Sequence, residues 1–412
     1  MKNNKYEIDM CNGTLMDKLI SFALPLMLSG MLQLMFNAVD IIVVGRFTGS
    51  TALAAVGSTT ALISTFTNLF IGVSLGANVL AARFYATGKA KEMSETVHTA
   101  IALAAISGVV MCIIGIAAAR EALVLIDTPD DVIGQAALYL RLYFCGMPFF
   151  MLYNYGAAIL RAVGDTKRPL MYLIIAGSTN AVLDLVLVII FKMGVAGVAI
   201  GTVTSQLISC ILVIRCLMTT ESDYKLRIRD LRIRKYYLLQ ILSVGLPAGI
   251  QSTVINFSNV LLQSSVNSFG EIAMAGYTAA NNILGFLYVS VNSITQACMS
   301  FTSQNYGVRK FKRMDKVLID CMILSVIVSV VIGGDGSFRG GGSYILGRQI
   351  LGIYTNQSEV IECGMEILSI STIPYFLCGI MDMLPGAMRG VGYSAVPMVL
   401  SIVGTVGTRL VW

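Results

Sequence analysis

Long apolar stretches alternate with short polar ones along the whole chain. A helix rises about 1.5 Å per residue, so roughly 20 apolar residues cross a hydrocarbon core of about 30 Å. Runs of that kind fall at 19–44, 53–80, 96–118, 134–160, 169–190 and 195–217. They recur at 238–266, 274–302, 317–334, 360–388 and 396–412. Each predicts a membrane-spanning helix. The longest polar segment, Thr219 to Lys235, falls near the middle of the chain and contains KLRIRDLRIRK. It reads as a solvated connector, with attraction to anionic lipid headgroups as the alternative.

The two sets of runs are a repeat. SFALPLMLSGMLQLMFN, from Ser21, aligns with SVGLPAGIQSTVINFSN, from Ser243, and pairs Pro25 with Pro247 and Asn37 with Asn259. Tyr85, Lys89 and Met93 pair with Tyr306, Lys310 and Met314, and Arg161-x-x-Gly164-x4-Pro169 with Arg389-x-x-Gly392-x4-Pro397. An even number of spans per half brings both halves in from the same side. The expected fold is therefore an all-α membrane protein of two six-helix bundles, related by a pseudo-twofold along the membrane normal. The division is 1–218 for the first bundle, 219–237 for a cytoplasmic linker and 238–412 for the second bundle. Trp412 aligns with Asp184, so about eleven of twelve expected spans are present and the second bundle is read as truncated in span eleven. GGDGSFRGGGS, Gly333 to Ser343, is too rich in glycine for a helix interior and is expected to be an external loop.

Composition agrees with the pattern. The 412 residues are 56% hydrophobic and only 13% charged, with a mean hydropathy of +0.77. Soluble domains carry about 25% charged residues. A cytosolic enzyme, a nucleic-acid binder and a disordered chain are all excluded. The polar stretch Met1 to Gly13 precedes an apolar run too long for a cleaved signal peptide. The net charge of +6 matters through its placement. With the N-terminus in the cytoplasm, about 22 basic residues lie inside and about five outside, as the positive-inside rule requires. The nine cysteines show no metal-ligand spacing and most sit in apolar runs, so reduced thiols are expected. The lone histidine, His98, reads as an interfacial side chain.

Ionisable residues at membrane depth cost about 2.5–3.5 kcal/mol on insertion scales, so their default reading is functional. Asp40 in span one and Asp184 in span five are two such residues, at similar depth in one bundle. Gln33, Asn37 and Asp40 share one helical stripe, Asn180 and Asp184 share another, and Thr202 in span six lies at matching depth. Carboxylate, amide and hydroxyl oxygens suit a small hard cation such as Na⁺. Two carboxylates in a dry pocket suit a proton instead, because burial and like charge both penalise the doubly ionised state. Interhelical hydrogen bonding is the plainer reading of the amides and hydroxyls. The repeat supplies a control: Asp40 aligns with Leu262 and Asp184 with Trp412, so the second half has no such pair. Candidate substrate contacts are Gln33, Asn37 and Asn154 in the first half and Asn256, Asn259, Asn282 and Asp382 in the second. Asp382 serves equally well as a lesser cation site or a helix-packing acid. No catalytic motif, ATP-binding loop or cofactor motif appears, so uphill transport would run on an ion gradient.

Asn37-Ala-Val-Asp40-x4-Gly45, Leu160-Arg-Ala-Val-Gly-Asp-Thr-Lys167 and Thr179-Asn-Ala-Val-Leu-Asp184 resemble the multidrug and toxic compound extrusion (MATE) family. So does the 6+6 repeat. Within that family the chain is more similar to the DinF-like branch. That resemblance implies a cation site formed by Asp40, Asp184, Asn180 and Thr202. The NorM-like branch places a glutamate in span seven, where this chain has no acid. The glycine-rich segment and the missing twelfth span depart from the family. The implied function is H⁺- or Na⁺-coupled export of organic, often cationic, compounds from a bacterial inner membrane. A lipid-linked precursor flippase of the same superfamily and a passive channel are the alternatives. Expected partners are small organic substrates and membrane lipids, with no nucleic acid and a monomeric chain. The expected coupling ion is H⁺ or Na⁺, with no other cofactor and no enzymatic activity.

Overall fold

The computed structural model describes residues 6–126, 128–267, 269–333, 347–349, 351–352, 357–372 and 374–411. Among them every regular element is helical. The first half holds α1 (Met16–Phe47), α2 (Ser50–Ala86), α3 (Ala90–Leu125), α4 (Asp130–Cys145), α5 (Met147–Ala162), α6 (Lys167–Leu185) and α7 (Val195–Thr219). The second holds α8 (Lys235–Asn267), α9 (Glu271–Gly307), α10 (Phe311–Gly333), α11 (Ser358–Thr372), α12 (Tyr375–Val391) and α13 (Ala395–Ser401). Among the described residues seven helices are long and apolar enough to cross a membrane, or up to nine spans if each of two bent pairs counts as one. The expected loop at 333–343 lies outside the described residues after Gly333.

The bent pairs refine the expectation of continuous spans at 134–160 and 360–388. α4 meets α5 at 47° and α11 meets α12 at 50°. Pro148 near the start of α5 and Pro374 just before α12 explain the breaks, since proline has no N–H to continue the ladder.

The repeat recurs in the backbone. α2 and α9 are each 37 residues long and each follows a glycine, Gly49 (φ 102°, ψ 175°) and Gly270 (φ 95°, ψ 176°). α1 and α8 carry Pro25 and Pro247 inside the helix. The aligned turns at Gly164 and Gly392 have φ 94° and 104°. That left-handed conformation is nearly free of cost only for glycine. At Gly164 a Cβ would also lie 2.6 Å from the backbone nitrogen of Ile8.

The chain forms two compact units. One comprises Met1–Asp9 and Leu32–Thr253, the other Met10–Met31 and Val254–Trp412. The first is built around an apolar cluster from α2 to α5 and α7, with Tyr155, Phe144, Met147, Met151 and Tyr224 fully enclosed. Gly72-x3-Gly76 of α2 meets Gly245-x3-Gly249 of α8 so closely that a Cβ at Gly72 would collide with the backbone of Gly249. Small residues at this spacing let helix backbones touch where the hydrophobic effect drives nothing. Near the N-terminus, Tyr85 and Tyr224 donate to the two Glu7 oxygens at 2.7 and 2.8 Å. In the second unit, Asn305 and Arg313 donate to the Met10 carbonyl at 3.1 and 3.2 Å.

Hydrogen bonds fix three further polar side chains, one of them against its sequence reading. His98 is buried, not interfacial. With its hydrogen on Nδ1 the ring donates to the Ser94 carbonyl at 2.6 Å, and Nε2 accepts from the Arg227 N–H at 3.0 Å. Arg409 donates to Asn259 at 2.7 Å and Ser258 at 3.2 Å. Asn78, buried in α2, donates to the Ala158 carbonyl at 2.8 Å and ties α2 to α5. The nine cysteines, all among the described residues, form no disulfide.

Candidate functional site

The site grows from three helices of the first unit. Asp40 lies late in α1, Asp184 one residue before the end of α6, and Gly201 in the first two turns of α7. Apolar side chains enclose the place: Val43, Val44, Ala52, Val56, Val188, Val195, Val198 and Ala199 pack with Tyr139 into one cluster. Asp184 is fully buried and Asn180 nearly so.

The Asp40 and Asp184 carboxyls lie within hydrogen-bonding reach of each other. Asn180 donates from Nδ2 to Asp184 Oδ1 at 3.3 Å, across one turn of α6. The same oxygen faces Gly201, where even a methyl group would collide with it. Tyr139 and Tyr143 of α4 stand beside the pair, their rings 6.2 Å apart, and Gln206 of α7 lies close to Tyr143.

Three buried acceptor atoms here have no donor among the described residues: Asp40 Oδ1, Asp184 Oδ2 and Gln206 Oε1. An unmet buried acceptor costs about 1–3 kcal/mol, and more when charged. Two carboxyls in such reach bond to each other only if one carries a proton; ionised, they require a cation between them. The oxygens present fit either ligand.

The structure gathers some of the sequence-derived residues and not others. Asp40, Asp184 and Asn180 come together. Thr202 is on the correct helix, but its hydroxyl donates to the Val198 carbonyl of its own helix at 3.0 Å. Gln33 and Asn37 are exposed on α1, and Asn154 donates to the Phe150 carbonyl at 2.8 Å. Asn256, Asn259, Asn282 and Asp382 belong to the second unit. There Asp382 shares its surroundings with Arg389 of α12 and Tyr288 of α9. Tyr139, Tyr143 and Gly201 were not singled out for the site from the sequence. The signal for the tyrosines is their i, i+4 spacing, which sets both hydroxyls on one face of α4.

A repeated helical membrane protein with two neighbouring carboxyls at membrane depth, Asp184 buried and Asp40 half-buried, has the architecture of a secondary transporter. The MatE family profile matches residues 25–186 and 247–412, one stretch in each half, and the chain belongs to that family. It is similar to the probable multidrug resistance protein YoeA of Bacillus subtilis, 29% identical over 397 residues, covering 94% of this chain and 84% of that one. It is also similar to the multidrug export protein MepA of Staphylococcus aureus, 22% identical over 390 residues, covering 93% and 83%. Its fold matches a solved outward-facing multidrug resistance MATE family transporter of the MOP superfamily. That match has a TM-score of 0.89 at 21% identity, covering 98% of this chain and 88% of the other.

Proposed function

We propose that the protein is a cation-coupled antiporter that exports organic, often cationic, compounds by alternating access. The observation that carries this reading is the neighbouring Asp40 and Asp184 carboxyls, half-buried and buried, each with an unmet acceptor oxygen among the described residues. Membership of a transporter family and the multidrug resistance names of its relatives support it. Asp40, Asp184 and Asn180 hold the coupling ion, H⁺ or Na⁺, with Thr202 lining the site through its helix. The acidic pair in the first half, together with the absence of an acid in α8, favours the DinF-like branch. Gln33, Asn37, Asn154, Asn256, Asn259, Asn282 and Asp382 are the substrate contacts.

Ion binding removes the repulsion within the pair and lets α1, α6 and α7 pack differently. Coupling follows if ion and substrate each bind the two access states unequally. Glu7 and Tyr224 place the N-terminal segment and the linker on the same face. With the basic bias of those segments, that face is the cytoplasmic side of a bacterial inner membrane. The test is efflux of a cationic dye from proteoliposomes under separately imposed pH and Na⁺ gradients. One gradient should drive uphill efflux; flux indifferent to both would overturn the reading and restore a passive channel.

A further inference from the structure

The linker between α7 and α8 divides its basic residues into two groups. Tyr224 and Leu226 are buried, and the Leu226 N–H donates to the Leu217 carbonyl at 2.9 Å, fixing its first part to the end of α7. Its last part is fixed to α3: Arg232 and Arg234 grip the two Glu95 oxygens at 2.7 and 3.1 Å. His98 holds the Arg227 backbone between them. Arg227 and Arg229 themselves are exposed and have no carboxylate partner among the described residues.

Apolar side chains are exposed alongside them. Ile228 is 60% exposed, and Leu231, Ile233 and Tyr236 are exposed too. Their line continues into α8, where Leu239, Leu246 and Ile250 form an outward apolar stripe at helical spacing. A connector bathed in water has no use for exposed isoleucines next to arginines. A segment buried in protein would not leave two guanidinium groups unpaired. Both features suit the headgroup boundary, where apolar side chains enter the acyl edge and guanidinium groups meet phosphate.

We infer that residues 227–236 form an interfacial docking surface for anionic phospholipid headgroups, with Arg227 and Arg229 as phosphate ligands and Ile228, Leu231 and Ile233 as the apolar anchor. The inference needs only that the chain spans a membrane, and stands apart from the transport reading.

The test places one reporter tryptophan on the surface by Ile228→Trp in a Trp412→Phe background, with the full chain reconstituted in mixed phosphatidylcholine–phosphatidylglycerol vesicles. Quenching by brominated phosphatidylglycerol is compared with quenching by brominated phosphatidylcholine at equal mole fraction. Each arginine near an anionic surface is worth about fivefold in local lipid preference, so brominated phosphatidylglycerol should dominate at low salt. The preference should shrink toward parity at 1 M salt, where the screening length falls to about 3 Å, without any further substitution. Adding Arg227→Gln and Arg229→Gln should give the same loss at low salt, whereas Arg→Gln changes at the Glu95-bound pair should not. Equal quenching by the two lipids at low salt, or none by either, would overturn the inference.

Discussion

At Asp184, the two carboxyl oxygens together meet three constraints. Oδ1 accepts from Asn180 and sits against the backbone of Gly201, while Oδ2 has no donor among the described residues. Asn at this position keeps the shape and removes the ionisable oxygen. Asp184→Asn and Asp40→Asn are each expected to reduce ion-driven dye efflux more than tenfold while leaving membrane expression intact. Near-normal efflux by either variant in the gradient assay would show that the pair is structural. Gly201→Ala tests the close approach itself. The added methyl must displace the carboxyl or the helix, at a typical overpacking cost of about 1–3 kcal/mol. A lower midpoint of thermal unfolding in detergent is expected; an unchanged midpoint would mean that α6 and α7 yield freely here. Thr202 shows why the sequence is a poor guide at this scale. Its depth and helix match the site, yet its hydroxyl bonds to the carbonyl four residues back. Threonine in a helix always has that local alternative, and only the neighbouring helix decides whether it is taken.

Between elements, the paired glycines of α2 and α8 leave no room for a side chain. Gly72→Leu or Gly249→Leu is expected to separate the helices and lower thermal stability strongly, read as earlier aggregation on heating the purified protein. Conservative changes at exposed Gly57, which has open space around it, should have little effect by the same measurement. The linker depends on buried polar anchors. Tyr224→Phe removes one of the two hydroxyls bonded to Glu7, a loss of about 0.5–1.5 kcal/mol for a typical hydrogen bond. Faster amide hydrogen exchange confined to the linker and residues 6–9 is the expected outcome. The bends between α4 and α5, and between α11 and α12, could have been read from Pro148 and Pro374. The direction in which each half-helix then points could not, because it depends on what packs beside it.

For the whole molecule, the compact units do not follow the chain in simple order. α8 has Lys235–Thr253 in one unit and Val254–Asn267 in the other, and α1 is shared likewise at Met31 and Leu32. Co-expressed fragments divided within the exposed linker, 1–230 and 231–412, should therefore co-purify, held by the glycine seam between α2 and α8. Separation of the fragments in mild detergent would show that this seam is weak without the covalent connection.

The amino-acid sequence determined the membrane class, the repeat and the choice of Asp40 and Asp184. Each rests on a property local to the chain. Span length answers to bilayer thickness, glycine and proline register the repeated turns, and a carboxyl at membrane depth is costly wherever its helix goes. Tertiary structure alone decided which side chains surround that carboxyl pair: the enclosing tyrosines of α4, the backbone of α7 at Gly201, and an unmet oxygen on each acid. It also decided that His98 is buried beneath the linker and that α1 and α8 are each shared between two units. Those outcomes depend on how each helix is rotated about its axis and on which neighbour it meets. Among near-uniformly apolar helices, the pattern of one chain segment carries little record of that choice.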